Sequence, residues 1–249
     1  MILMYHRVTG DTGLELDVRS SDFRRQIEWL ARHCEVVSLQ EGLSPRGVGG
    51  ESDSPCATRV VITFDDAYED FYSVVLPVLR DANVPATLYV PTAFIDDASK
   101  VPVSKGGPHT KLLRPLTWEM LRELSRSPLI TLAAHSHGHS EYPSLSDAEI
   151  LRDIAESDRR FDSELGFRPR HFAYPRGAWD ERCERIVAGR YESIALVGGG
   201  SIDPLVLNPH RLTRIPVLFS DGFRWFKHRV EGRLIHEESI ASMIRGRRR

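Results

Sequence analysis

Short apolar runs alternate along this chain with longer stretches of helical period, and that alternation limits its possible folds more than any other feature. Ile2–His6 opens as a strand, and Phe23, Ile27, Leu30 and Ala31 then recur at helical spacing behind Ser21 and Asp22 as a cap. Arg59–Phe64 (RVVITF) reads as a buried strand leading into a helix around Ala67–Ala82, and Ala86–Val90 (ATLYV) as the next strand. Thr117–Ser125 is helical and Leu129–Ala134 (LITLAA) strand-like. Ser146-Asp147-Ala148-Glu149 has the spelling of a capping box and begins a helix reaching about Leu165. His171–Tyr174, Ile194–Val197 and Leu212–Val217 are the later strands, with Asp180–Ala188 helical among them. Residues 44–58 and 98–115 read as loops, and Gly198, Gly199 and Gly200 mark a turn. Strands alternating with helices imply parallel βα units. Seven or so such units predict an α/β fold with a closed or nearly closed barrel, a doubly wound sheet being the runner-up.

A chain of 249 residues with 41% hydrophobic composition can bury a sizeable core in one large domain or two small ones. A formal charge of −2 argues against a general binder of nucleic acid or of acidic membranes, and the terminal Arg245, Arg247, Arg248 and Arg249 read as a solvated end. Cys34, Cys56 and Cys183 are odd in number and widely spaced, so no disulfide framework or CxxC metal pair is expected. No stretch reaches the roughly 18 uninterrupted apolar residues of a membrane span, and the opening run has no basic leader. The expectation is therefore a cytoplasmic protein, with its oligomeric state left open.

Chemistry concentrates after three of the strands. Asp65 and Asp66 follow the apolar run Val60–Phe64 directly. Adjacent strand residues point to opposite sides, so one carboxylate can bind a cation while its neighbour stays free as a base. The plainer reading is an Asp pair that caps the next helix. After Leu132-Ala133-Ala134 come His135, His137 and His139, three imidazoles in five residues, which packing alone does not explain. One helical turn would bring the His135 and His139 nitrogens towards one point, and neutral imidazole suits zinc and similar divalent ions. His137 receives no role. Asp66, His135 and His139 together give three protein ligands and an open position for water, the pattern of a catalytic site, with Asp65 as the neighbouring base. In Phe172-Ala173-Tyr174-Pro175-Arg176-Gly177, the Pro and Gly around Arg176 suggest a fixed turn whose backbone N–H could stabilise an oxyanion. The same segment also reads as an ordinary exit from a strand.

Taken together, these segments resemble the polysaccharide deacetylase family, the NodB-homology domain of carbohydrate esterase family 4. Thr63-Phe64-Asp65-Asp66 is similar to its TFDD motif, His135–His139 to its H-[S/T]-x-x-H motif, and Phe172–Gly177 to the FAYPxG form of its third motif. Met4–Val8, Pro85–Val90, Leu116–Trp118 and Arg214–Val217 add to the likeness, which spans roughly residues 1–218 of a single domain over 1–249. Residues 219–249 are expected to form a C-terminal helical segment and a basic tail. The resemblance implies a distorted (β/α) barrel of seven or eight strands. It implies Asp65 as general base, Asp66, His135 and His139 on a divalent metal such as zinc, and the Arg176 backbone at the oxyanion. The implied reaction is hydrolysis of an acetamide on an amino sugar.

This chain also departs from the family's pattern. Ala67 stands where TFDD is usually followed by Gly, a small residue that should do little damage, and Ser140 stands where Pro often follows the histidine motif. Ala173 replaces the arginine that often orients the base, a loss the FAYP type shares, so the base must be oriented otherwise. For the acid that protonates the leaving amine, His236 in Leu234-Ile235-His236, His210 and His6 are candidates, and the sequence does not choose among them.

The leading expectation is an N-deacetylase acting on an N-acetylhexosamine unit, with a cytoplasmic substrate such as a lipid-linked or nucleotide-linked sugar. Its alternatives are a non-catalytic glycan-binding protein and a hydrolase of a non-sugar amide. Lys105, His109, Lys111 and Arg114 in the long loop would either cover an anionic substrate or simply be solvated. Phe219, Phe223, Trp225 and Phe226 are expected to pack into the core rather than form a sugar platform or a dimer contact.

Overall fold

The computed structural model describes residues 1–44, 58–97, 114–198 and 208–232. Lys105, His109, Lys111, Cys56, Gly199, Gly200, Leu234–His236 and the terminal arginines lie outside the described residues, as do residues 45–57 and 98–113, where loops are expected.

Among the described residues eight strands run in parallel: β1 (Ile2–Tyr5), β2 (Glu35–Val36), β3 (Arg59–Phe64), β4 (Ala86–Val90), β5 (Ile130–Ala134), β6 (His171–Ala173), β7 (Ser193–Val197) and β8 (Leu212–Pro216). β1 pairs with both β3 and β8, closing a seven-stranded barrel, while β2 pairs only with β3 beside it. The helices are α1 (Ser20–His33), α2 (Leu39–Leu43), α3 (Leu76–Ala82), α4 (Thr92–Asp96), α5 (Trp118–Ser125), α6 (Asp147–Leu165), α7 (Glu181–Ala188) and α8 (Gly222–Val230). Among the described residues no helix is long and apolar enough to cross a membrane.

Strand alternation builds two apolar layers, as expected of parallel strands covered on both faces. Leu3, Tyr5, Ile62, Phe64, Leu88, Leu132, Phe172 and Ile194 are part of the core that the helices cover. Ile2, Val61, Tyr89, Ala133, Ala173, Ala195 and Leu212 form the second cluster, inside the barrel. Three alanines in that interior leave volume for two large polar side chains, Tyr89 and Arg214, both fully buried. The Arg214 guanidinium lies 5.1 Å from the Tyr89 ring centroid. Val37 and Leu39, from the β2–α2 stretch, join the interior cluster beside Val61. Gly42 permits this close approach: a β-carbon there would stand 2.6 Å from Val61 Cγ2.

Local signals place most of the elements. Ser146 and Glu149 form the capping box that starts α6, and Thr117 and Asp180 cap α5 and α7. Two expectations need correction. Helix α1 begins at Ser20 with Arg19 as its cap, so Ser21 and Asp22 lie in its first turn, where an acid favours the positive helix end. No helix covers residues 67–69. Asp66 and Ala67 have left-handed backbone (φ 71° and 52°), a π-helical turn follows over Phe71–Val75, and α3 starts only at Leu76, next to Pro77. Asp65 and Asp66 therefore cap no helix. In the C-terminal aromatic group Phe226 is buried, Phe219 lies under the Arg19 guanidinium at 3.8 Å, and Trp225 is 52% exposed. Core packing thus accounts for only part of that group.

Candidate active site

The ends of β3 and β5 bring the candidate ligands together. Asp66 Oδ1 lies 3.0 Å from His139 Nε2 and 3.5 Å from His135 Nε2. One ligand atom from each of the three residues falls within 4.8 Å of the others. Tetrahedral zinc with ligand bonds of about 2.0–2.2 Å places its ligand atoms roughly 3.3–3.6 Å apart, so these separations fit a shared cation. His135 Nδ1 hydrogen-bonds to the Ala173 carbonyl at 2.8 Å, which assigns the proton to Nδ1 and leaves Nε2 as the bare donor a metal needs. The residues present therefore suit a divalent ion.

The histidines do not converge through a helical turn as their spacing had suggested. Residues 135–139 form a loop in which Ser136 (φ 66°) and His139 (φ 54°) are left-handed, and this backbone reversal turns His139 back towards Asp66. The Ser136 hydroxyl accepts from the His139 N–H at 2.8 Å and holds the reversal. His137 stays out of the ligand set, its Nδ1 lying 2.8 Å from Thr92 Oγ1.

Asp65 and Asp66 diverge as expected, but through the left-handed turn at Asp66 past the end of β3 rather than through strand alternation. Asp65, 3% exposed, meets the fully buried Arg214 in a two-pronged ion pair. Arg214 donates from Nη1 to Oδ1 at 2.6 Å and from Nη2 to Oδ2 at 2.8 Å, and its Nε donates to the Leu196 carbonyl at 3.2 Å. Burial alone would raise the Asp65 carboxyl, but the Arg214 charge, helped by His135, brings it below its ordinary value. Arg214 lies in the stretch Arg214–Val217 and fixes the orientation of the Asp65 carboxylate, with no arginine at position 173. Ala173 lines the same interior, and its small side chain leaves that space open.

Burial would likewise raise Asp66, yet the imidazoles of His135 and His139 hold it well below the usual carboxylate range. The Tyr68 phenol, pushed up by burial and by the Asp66 charge, stays protonated. His6, just beyond β1, also faces this cluster. Burial lowers its imidazole while the Asp66 and Asp65 charges pull it upward, and its buried Nδ1 has no hydrogen-bond partner. Arg176 sits in a left-handed turn (φ 57°) after β6, and its side chain reaches Glu141 at 3.7 Å. Of the two candidate acids among the described residues, His6 lies beside the carboxylates and His210 does not. His210 is half-buried in the turn before β8, and His236 lies outside the described residues. His6 could have been singled out as a polar residue immediately after an apolar strand of the barrel.

Known proteins share this fold. The solved structure of Streptococcus pyogenes deacetylase PplD in complex with acetate superposes with a TM-score of 0.71 and 21% identity, covering 91% of this chain and 96% of that one. A de-N-acetylase from Aggregatibacter actinomycetemcomitans superposes with a TM-score of 0.68 and 20% identity over 91% of this chain and 98% of that one. At such identities the likeness establishes the barrel fold. In sequence, the poly-β-1,6-N-acetyl-D-glucosamine N-deacetylase of Escherichia coli (strain K12) is 32% identical over 137 residues, 54% of this chain and 20% of that protein. The present chain thus spans only a fraction of that relative's length. The family description "Polysaccharide deacetylase" matches residues 52–189, more than half of the chain, a stretch that holds both carboxylates, His135, His139 and Arg176, and on that ground the protein belongs to the polysaccharide deacetylase family.

Proposed function

We propose that this chain is a metal-dependent hydrolase that removes the N-acetyl group from an N-acetylhexosamine unit. The observation that carries this reading is the convergence of Asp66, His135 and His139 beside a carboxylate, Asp65, that takes no part in the ligand set. A divalent cation, zinc being a good match to two imidazoles and a carboxylate, would polarise the acetamide carbonyl and acidify a water molecule. Asp65, ionised and held by Arg214, takes the proton from the attacking water. The new C–O bond forms as negative charge gathers on the former carbonyl oxygen, and the Arg176 backbone N–H donates to that oxygen. The C–N bond then breaks. The proton that Asp65 took from the water passes to the leaving nitrogen, with the neutral His6 imidazole beside the carboxylates placed to relay it, and acetate and a free amine depart.

The oriented base favours this reading over binding without turnover. A binding protein has no use for a buried carboxylate clamped by a buried arginine, and the absence of an arginine at 173, which had motivated the non-catalytic alternative, is compensated by Arg214. Hydrolysis of a non-sugar amide on the same scaffold is separated by substrate. The test is acetate release from N-acetylglucosamine oligomers and from small acetamides, for wild type, Asp65→Asn and His135→Ala. Release from the sugars should fall by orders of magnitude in both variants, whereas full activity in both would overturn the proposal.

A further inference from the structure

The loop that carries His135 and His139 is left-handed at two non-glycine residues, and such backbone persists only where its surroundings over-determine it. Contacts from two neighbouring elements provide that constraint. On the α4 side, the Thr92 N–H donates to the Ser136 carbonyl at 3.3 Å and the Ala93 N–H to the His137 carbonyl at 3.0 Å. On the α6 side a single carboxylate does the work. Asp153 Oδ1 accepts the His137 N–H at 2.8 Å and the Tyr142 hydroxyl at 2.8 Å, and Oδ2 accepts the Gly138 N–H at 2.7 Å. A β-carbon on Gly138 would stand 3.3 Å from that second oxygen. Asp153 thus grips two consecutive amides immediately before His139, the ligand whose backbone is reversed.

We propose that Asp153 is a positioning residue for the cation site: by clamping the His137 and Gly138 amides it holds the His139 imidazole at its coordination point. This rests on the reading that Asp66, His135 and His139 hold a cation. Exchanging Asp153 for asparagine keeps the shape but replaces one acceptor oxygen with an NH2 group, so a loop amide faces a donor instead of an acceptor. The backbone reversal then loses part of its support, and the ligand set loosens.

The experiment measures zinc affinity by competition with a chromogenic chelator, together with the thermal midpoint of the metal-free protein. It compares wild type, Asp153→Asn and Asp158→Asn. Asp158 lies on the same helix and is ion-paired with Arg190, so its loss is a control for helix destabilisation alone. Asp153→Asn should weaken zinc binding by roughly 10–100-fold, as loss of outer-shell support does. Asp158→Asn should lower the midpoint and leave zinc affinity unchanged. Wild-type affinity in Asp153→Asn, or an equal loss in Asp158→Asn, overturns the assignment. Should the asparagine variant fail to fold, Asp153→Glu keeps the charge but displaces the oxygens; a smaller but measurable loss of affinity is then expected, and unchanged affinity overturns the proposal. A wild-type chain that binds no zinc would overturn the underlying metal reading itself.

Discussion

Where the strands begin, Val37, Leu39 and Val61 pack as apolar side chains on ordinary backbone, and α2 lies against β3. Where the strands end, three turns hold Asp66, Ala67, Ser136, His139 and Arg176. These are five of the six left-handed non-glycine residues among those described; the sixth, Asn83, merely ends α3. A left-handed L-residue costs about 1–2 kcal/mol, so the two ends differ by several kcal/mol of local strain. One end contributes stability, and the other holds its functional groups against that strain. Between them lies the Asp65–Arg214 pair, a buried charge pair beside a mainly apolar interior cluster.

The largest test of this contrast is that pair. Arg214→Met leaves the Asp65 carboxylate buried without its partner, which should cost about 3–5 kcal/mol and lower activity by orders of magnitude. Denaturant unfolding measures the first effect, and a cost under about 1 kcal/mol would mean that the pair is not what holds the base.

Next in size is a pH effect at the opposite end. His171 opens β6, its Nδ1 2.9 Å from Ser193 Oγ, and burial lowers its imidazole from 6.5 to about 4. Between those values the unfolded chain binds the extra proton, so the contribution of His171 is whole above pH 6.5 and falls away as the pH drops towards 4. Its full size is about 3 kcal/mol. Unfolding free energies measured across this range should decline in wild type and decline less in His171→Asn. Parallel curves would show that the group does not titrate as described.

At the strained end, Gly177 and Ala67 should respond differently. Gly177 has φ +67°, and a β-carbon there would lie 2.7 Å from Val197 Cβ, so Gly177→Ala should cost about 2–3 kcal/mol and displace the Arg176 amide, slowing turnover. Ala67 already holds its left-handed geometry with a fully buried side chain. Ala67→Gly relieves about 1 kcal/mol of strain but adds a similar entropy to the unfolded chain, so stability should move by less than about 1 kcal/mol. Thermal midpoints of the two variants rank them directly, and a reversed ranking would break the assignment of strain to these turns.

Much of the barrel and of the ligand set was legible because both reside in short segments. A run such as Val60–Phe64 announces a strand by its composition, and Asp65, Asp66, His135 and His139 follow strands within a few residues. Arg214 was not legible as the partner of the base. Leu212–Val217 reads simply as a strand, and the carboxylate that its arginine meets lies 149 residues away along the chain. Closure of the barrel, which points Arg214 inward, is a property of the whole sheet. The histidine loop misled for a local reason: a spacing of four suggests a helical turn, but the Ser136 hydroxyl and Asp153 hold the backbone in a reversal that no periodicity reports. β2, α2 and α4 went unnoticed because two to five residues are too few to display a period.

The central claim is that Asp66, His135 and His139 share one cation, and anomalous diffraction at the zinc edge from a crystal grown with zinc tests it most directly. The account predicts a single strong peak about 2.0–2.2 Å from Asp66 Oδ1, His135 Nε2 and His139 Nε2. No peak there, or a peak that leaves any one of the three beyond coordination reach, would contradict it.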